Sequence, residues 1–90
     1  MTVHAESKDE AFVPYDGMKI HKHLQASAPI YEIKGNYIYK YLQATTPVYE
    51  IKGNYIHKYL QATTPIYEIR QGKYIHKYLS GAAPVYDLRQ

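Results

Sequence analysis

Apolar and polar side chains alternate with a period of two through most of this chain. In "PVYEIK" at 47–52, Tyr49 and Ile51 fall on one side, and Val48, Glu50 and Lys52 on the other. "YIHKYL" at 55–60 repeats the alternation, and both stretches are rich in the aromatic and β-branched residues that suit a pleated surface. The pattern predicts two strands of about six residues each. Gly53 and Asn54 lie between them and suit a two-residue hairpin turn. "QATTP" then connects to the next strand, with Pro65 at its edge.

A turn at Gly53 and Asn54 fixes the pairing. Lys52 faces Tyr55, Ile51 faces Ile56, Glu50 faces His57, Tyr49 faces Lys58 and Val48 faces Tyr59. Tyr49, Ile51, Ile56, Lys58 and Leu60 then share one side, and Val48, Glu50, Lys52, Tyr55, His57 and Tyr59 the other. The first side is the expected core because its aliphatic positions recur. Lys58 is the awkward member and is expected to run its stem along Tyr49 with its ammonium at the rim. A slip of one residue would exchange the two sides.

The hairpin is written repeatedly. "PIYEIKGNYIYKYLQATT" at 29–46 differs from 47–64 only at positions 30/48 and 39/57. Pro29, Pro47 and Pro65 are eighteen residues apart and Pro84 follows after nineteen, the extra residue being Gln71 in "RQGK". A degenerate unit, "AFVPYDGMKIHKHLQASA", occupies 11–28, and a half-unit, "PVYDLRQ", ends the chain at 84–90. Repeats therefore fall at 11–28, 29–46, 47–64 and 65–83.

The final half-unit would be an unpaired edge open to aggregation. "MTVHAES" supplies a partner, with Thr2-Val3-His4-Ala5 aligned on Tyr55-Ile56-His57-Lys58. The expectation is one all-β domain over 1–90. It is a closed ring of five two-stranded hairpins with pseudo-five-fold symmetry, its last hairpin completed by an N-terminal strand within 1–7. A parallel solenoid would need a six-residue subperiod of small or aliphatic residues, which "YEIKGNYIHKYL" lacks.

The unit P-V-Y-E-I-(K/R)-G-N-Y-I-x-K-Y-L resembles the tandem hairpins of the bacterial beta-flower proteins, whose four-fold and five-fold members are rings of such hairpins. The similarity spans about 11–90, and the five-fold type matches the expectation above. That family is functionally uncharacterised, so the resemblance implies a fold and no catalytic residues.

Composition narrows the setting. Ninety residues make one small domain without cysteine, so disulfides and thiolate metal sites are excluded. Eleven Lys/Arg against eight Asp/Glu give +3 and a pI near 9.0, with the signs interleaved as on a solvated surface. No run approaches the roughly 18–20 apolar residues of a membrane span, and "MTVHAESKDEAF" is no signal peptide. A soluble, cytoplasmic protein without membrane partners is expected.

The candidate chemistry is repetitive too. His21, His57 and His76 share one repeat position, to which His4 also aligns, and Tyr39 takes it in the second unit. Glu50 and Glu68 lie opposite His57 and His76, Glu32 opposite Tyr39, and Asp87 is expected opposite His4. Should a metal bind, His57, Glu50, His76 and Glu68 are its ligands. The ordinary alternative is a series of surface cross-strand contacts worth a few tenths of a kcal/mol each. A third reading is pH-dependent assembly.

Tyrosine fills three columns: Tyr31, Tyr49, Tyr67 and Tyr86; Tyr37, Tyr55 and Tyr74; Tyr41, Tyr59 and Tyr78. The last two columns share the Glu/His side and form, with His21, His57 and His76, the expected binding surface. Their ordinary role is β-propensity and packing against Lys34, Lys52 and Arg70. Matching glutamates disfavour nucleic acid. No P-loop, dinucleotide fingerprint, Ser–His–Asp arrangement or metalloprotease helix is present, and near-identical units repeat one group instead of converging several. No catalysis and no cofactor are expected. The leading expectation is a protein-interaction or self-assembly module, and the alternative a multivalent binder of carbohydrate or another small polar ligand.

Overall fold

The computed structural model describes residues 14–25, 28–43, 45–61 and 64–90. It contains eight four-residue strands: β1 (Lys19–Lys22), β2 (Tyr31–Lys34), β3 (Tyr37–Lys40), β4 (Tyr49–Lys52), β5 (Tyr55–Lys58), β6 (Tyr67–Arg70), β7 (Tyr74–Lys77) and β8 (Tyr86–Arg89). They run antiparallel in chain order and close into a barrel, β8 against β1. No helix among the described residues is long and apolar enough to cross a membrane.

The hairpin register is the one the alternation predicts. In β4–β5, Tyr49 opposes Lys58, Glu50 opposes His57, Ile51 opposes Ile56 and Lys52 opposes Tyr55. β2–β3 and β6–β7 repeat this pairing. At the β2–β3 and β4–β5 hairpin turns only glycine takes a positive φ, +64° at Gly35 and +63° at Gly53. That is the φ pattern of a II′ turn, with glycine at its first central position. In β6–β7 the extra residue makes a three-residue loop, with Gln71 at φ 58° and Gly72 at φ 68°.

Neighbouring hairpins are joined by shorter ladders. Ile38 opposes Tyr49, Ile56 opposes Tyr67, Ile75 opposes Tyr86 and Ile20 opposes Tyr31. The amides of Ile30, Val48, Ile66 and Val85 donate to the carbonyls of Ile20, Ile38, Ile56 and Ile75 at 2.7–2.8 Å. One junction is thus used four times around the axis.

This corrects the expected number of units and the expected closure. The ring contains four hairpins, and the fourth is β8 with β1: Tyr86 opposes Lys22, Asp87 opposes His21, Leu88 opposes Ile20 and Arg89 opposes Lys19. The proposed closing strand at 1–7 lies outside the described residues. β8 has β7 on one side and β1 on the other, so neither edge is free. Asp87 accordingly faces His21, where His4 was expected.

Two physical reasons account for the difference. Eight strands leave an interior just wide enough for side chains to fill, whereas ten would leave an unfilled axis. Moreover, the first half of unit 11–28 competes poorly for the edge of β1. It has Pro14, without an amide donor, at the repeat's glutamate position, whereas 86–89 keeps the inward Tyr–Leu pattern.

The displaced half-unit has another role. Residues 14–17 form a turn at the hairpin-turn end of the barrel, and Tyr15 and Met18 pack against the core. The Tyr15 hydroxyl donates to Asn54 Oδ1 (2.6 Å), and the Gly35 amide donates to Asp16 Oδ1 (2.7 Å).

The core lies on the barrel axis. Ile20, Ile33, Ile38, Ile51, Ile56, Ile69, Ile75 and Leu88 are all buried, one from each strand. Each contributes about 1.5–3 kcal/mol relative to an exposed position. Above them Tyr31, Tyr49, Tyr67 and Tyr86 close a four-membered ring of edge-to-face contacts, with centroids 5.8–6.1 Å apart. Between the tyrosines and the isoleucines remains an apolar cavity of about 10 Å³.

Candidate functional site

Three surfaces carry the chemistry-bearing residues: the outer belt, the tyrosine end of the barrel and a groove beside the closure.

The outer belt holds the residues singled out from the sequence. Glu50 opposes His57, Glu68 opposes His76, and Glu32 opposes Tyr39. Tyr59 stands edge-on to Tyr37 (5.9 Å) and Tyr78 edge-on to Tyr55 (5.8 Å), so each pair links consecutive hairpins. Tyr37 and Tyr55 are exposed, whereas Tyr41, Tyr59, Tyr74, Tyr78, His21 and His76 are half-buried. His57 is buried at 8% exposure, and its Nδ1 has no hydrogen-bond partner among the described residues. Among the described residues no three His, Cys, Asp or Glu side chains gather where they could hold a metal ion. The Glu–His positions therefore come together in pairs and not in larger clusters.

The tyrosine end was not singled out from the sequence. Lys22, Lys40, Lys58 and Lys77 lie directly across from Tyr86, Tyr31, Tyr49 and Tyr67, so each emerges on the inward side beside the tyrosine ring, and all four are exposed. Immediately beyond each lysine the chain turns, and the amides of Gln25, Gln43, Gln61 and Ser80 donate back to the four lysine carbonyls at 2.9–3.1 Å.

The third residue of each turn is leucine with positive φ: Leu24 (61°), Leu42 (64°), Leu60 (62°) and Leu79 (60°). A leucine in that conformation costs roughly 1–2 kcal/mol. These leucines gain no burial in return, being 77–81% exposed. Leu60 was expected on the core face; the strand ends at Lys58 and the turn carries it outward. Period two alone could not show this. A leucine two residues after the last strand lysine, where a turn is required, was the available signal.

Two of the tyrosine hydroxyls at this end, those of Tyr86 and Tyr49, are perturbed. Burial, then the neighbouring Tyr67 and Tyr31, pushes Tyr86 up to about 12. Burial and the neighbours Tyr31, Tyr67 and Tyr86 raise Tyr49 as well.

The groove, of about 440 Å³, is lined by His23, Arg70, Gln71, Tyr74, His76 and Pro84. The ring of His23 lies edge-on to Tyr74 at 6.0 Å, where a tyrosine stands in the two preceding sectors. His23 Nδ1 is 2.6 Å from Asp87 Oδ1, and the Leu24 amide donates to Asp87 Oδ2 at 3.0 Å. Burial pushes the Asp87 carboxyl up, but the hydrogen bonds from His23, Leu24 and Arg89 outweigh it and hold the group below the usual carboxylate range. Of these lining residues, Tyr74 and His76 were expected as binding residues, while His23, Arg70, Gln71 and Pro84 were not.

No protein-family model, no curated protein and no solved structure matches this chain.

Proposed function

We propose that this protein is a non-catalytic interaction module that docks a partner protein through the leucine–lysine end of its barrel. The observation that carries the reading is the set of four exposed leucines in left-handed turns. Backbone strain and exposed apolar area both disfavour the free state, and a bound partner offsets the second of these. The alternating lysines favour an acidic partner surface with apolar pockets. Head-to-head pairing of two copies sets four lysines against four, so hetero-association is favoured over self-assembly.

The outer tyrosine–histidine face is the secondary contact surface, with Tyr37 and Tyr55 most accessible. The four-hairpin ring and the repeat motif support placing the chain beside the four-fold beta-flower proteins, in preference to the five-fold type. We assign it to the cytoplasm on its cysteine-free composition.

The test compares the wild type with a variant in which Leu24, Leu42, Leu60 and Leu79 are all asparagine, which tolerates positive φ. The wild type is expected to retain a discrete partner that the variant releases, with retention weakening between about 0.05 and 0.5 M salt. Equal retention by both proteins overturns the proposal. So does binding of the wild type to anionic vesicles without retention of any protein.

A further inference from the structure

Near-identical units can assemble different side chains at one point only where the repetition breaks. The breaks in this chain converge. At the repeat's lysine, unit 65–83 has Arg70; it also carries the inserted Gln71, and it has Ser80-Gly81 where its neighbours have Gln-Ala. The closing hairpin has Asp87 for glutamate and His23 for tyrosine. His23, Arg70 and Gln71 line the groove, Asp87 holds His23, and Ser80 holds Arg70. A histidine is smaller than the tyrosine it replaces, and the longer β6–β7 loop widens the same place.

The polar groups there are held with donors to spare. Arg70 Nε and Nη2 donate to Glu68 Oε1 at 3.4 and 3.2 Å, and Nη2 also donates to the Ser80 carbonyl at 2.9 Å. Nη1 makes no hydrogen bond among the described residues, so a pinned guanidinium retains two N–H groups. His76 Nδ1 lies 3.1 Å from the Ala82 carbonyl. That oxygen and the Asp87 carboxylate accept hydrogen bonds, so Nδ1 carries the proton in both His76 and His23. The Nε2 atom of each ring is left to accept when the imidazole is neutral and to donate when it is charged.

The charges around the groove favour an anion. Lys73 Nζ lies over the ring of Tyr74, which lines the groove, and the nearby carboxylates Glu68 and Asp87 are each already bonded to an arginine. Of the lining residues Arg70 alone carries a fixed charge, and it is positive. A divalent cation would meet the arginine and lysine charges instead. Nη1 and two protonated Nε2 atoms supply several donors, suited to a group with several acceptor oxygens.

We propose that this groove binds a phosphate group, either free phosphate or the terminal phosphate of an ester. This site adjoins the leucine–lysine end, His23 lying in the turn that carries Leu24, but it uses other side chains and does not depend on the docking function.

The experiment is an NMR titration with inorganic phosphate at one fixed pH, with chloride at matched ionic strength as control. The imidazole signals of His23 and His76 are expected to shift saturably with phosphate and not with chloride. A parallel titration uses a nucleoside 5′-monophosphate. Tighter binding there assigns the groove to an ester whose organic part meets Tyr74, and equal binding assigns it to free phosphate. R70K restores the lysine of the neighbouring repeats and should weaken binding about fivefold or more while the isoleucine methyl spectrum stays unchanged. H23Y should fill the groove, and R70K carries the test should H23Y not fold. The proposal is overturned if chloride gives the same shifts, if R70K binds like the wild type, or if phosphate shifts only the lysine rim. Zinc binding to both histidines in preference to phosphate overturns it too.

Discussion

His23 and Asp87, 64 residues apart in sequence, meet at 2.6 Å across the strand pair that closes the barrel. The equivalent contact in the other sectors would join a tyrosine and a glutamate. Here the shorter carboxylate is buried, accepts the Leu24 amide as well, and is approached by Arg89 at 3.4 Å. The closure is thus sealed by a charge-assisted contact found at no other junction among the described residues.

Asp87→Asn should therefore destabilise the fold by about 1.5–3 kcal/mol near neutral pH, the range for hydrogen bonds to a charged group. The direction with pH follows from the lowered carboxyl. Its contribution is complete above the unfolded value near pH 4 and is lost as pH falls through the lower folded value. Urea melts between about pH 2 and 7 should show an acid limb in the wild type that is flattened in the variant. Parallel limbs would contradict the assignment.

The tyrosine ring acts at the other end of the pH scale. Tyr86 is raised to about 12, and Tyr49 and Tyr15 are raised as well. Their contribution is complete below the unfolded value near pH 10 and is lost as pH rises through the folded values. Ultraviolet titration should show the hydroxyls of Tyr15, Tyr49 and Tyr86 ionising late, as the barrel opens. Tyr49→Phe keeps the edge-to-face contacts, removes one delayed hydroxyl and should change stability at neutral pH by less than about 1.5 kcal/mol.

Equivalent core positions should respond equally. Ile38, Ile56 and Ile75 are each 1% exposed and occupy the same place in successive hairpins. Ile→Val at any one of them should cost about 0.5–1.5 kcal/mol, with the three values agreeing to within about 0.5 kcal/mol. A markedly smaller loss at one position, read from denaturant midpoints, would show that the ring packs unevenly.

Leu60→Gly should behave in the opposite way to a core substitution. It relieves left-handed strain at φ 62° and removes a side chain that is 77% exposed. Glycine's extra unfolded-state entropy, about 0.4–1 kcal/mol, offsets part of the gain. The thermal midpoint should stay level or rise by a few degrees, corresponding to up to about 1 kcal/mol. A clear loss of stability would mean that Leu60 packs against something in the free protein.

Hairpin, register and buried face were all legible in the residues. Period-two alternation and a Gly-Asn turn act over a few positions, and Ile51 can meet Ile56 only if Gly53 and Asn54 form the loop. The pairing of Glu50 with His57 and of Glu68 with His76 follows from the same local rule. The number of hairpins is not a local property. It depends on how many strands close around an axis that isoleucine can fill, and on whether 86–89 or the proline-containing half-unit gains the edge of β1. The left-handed leucines and the groove also required the tertiary structure, since alternation ends where the strands end and His23, Arg70 and Asp87 meet only through closure of the ring.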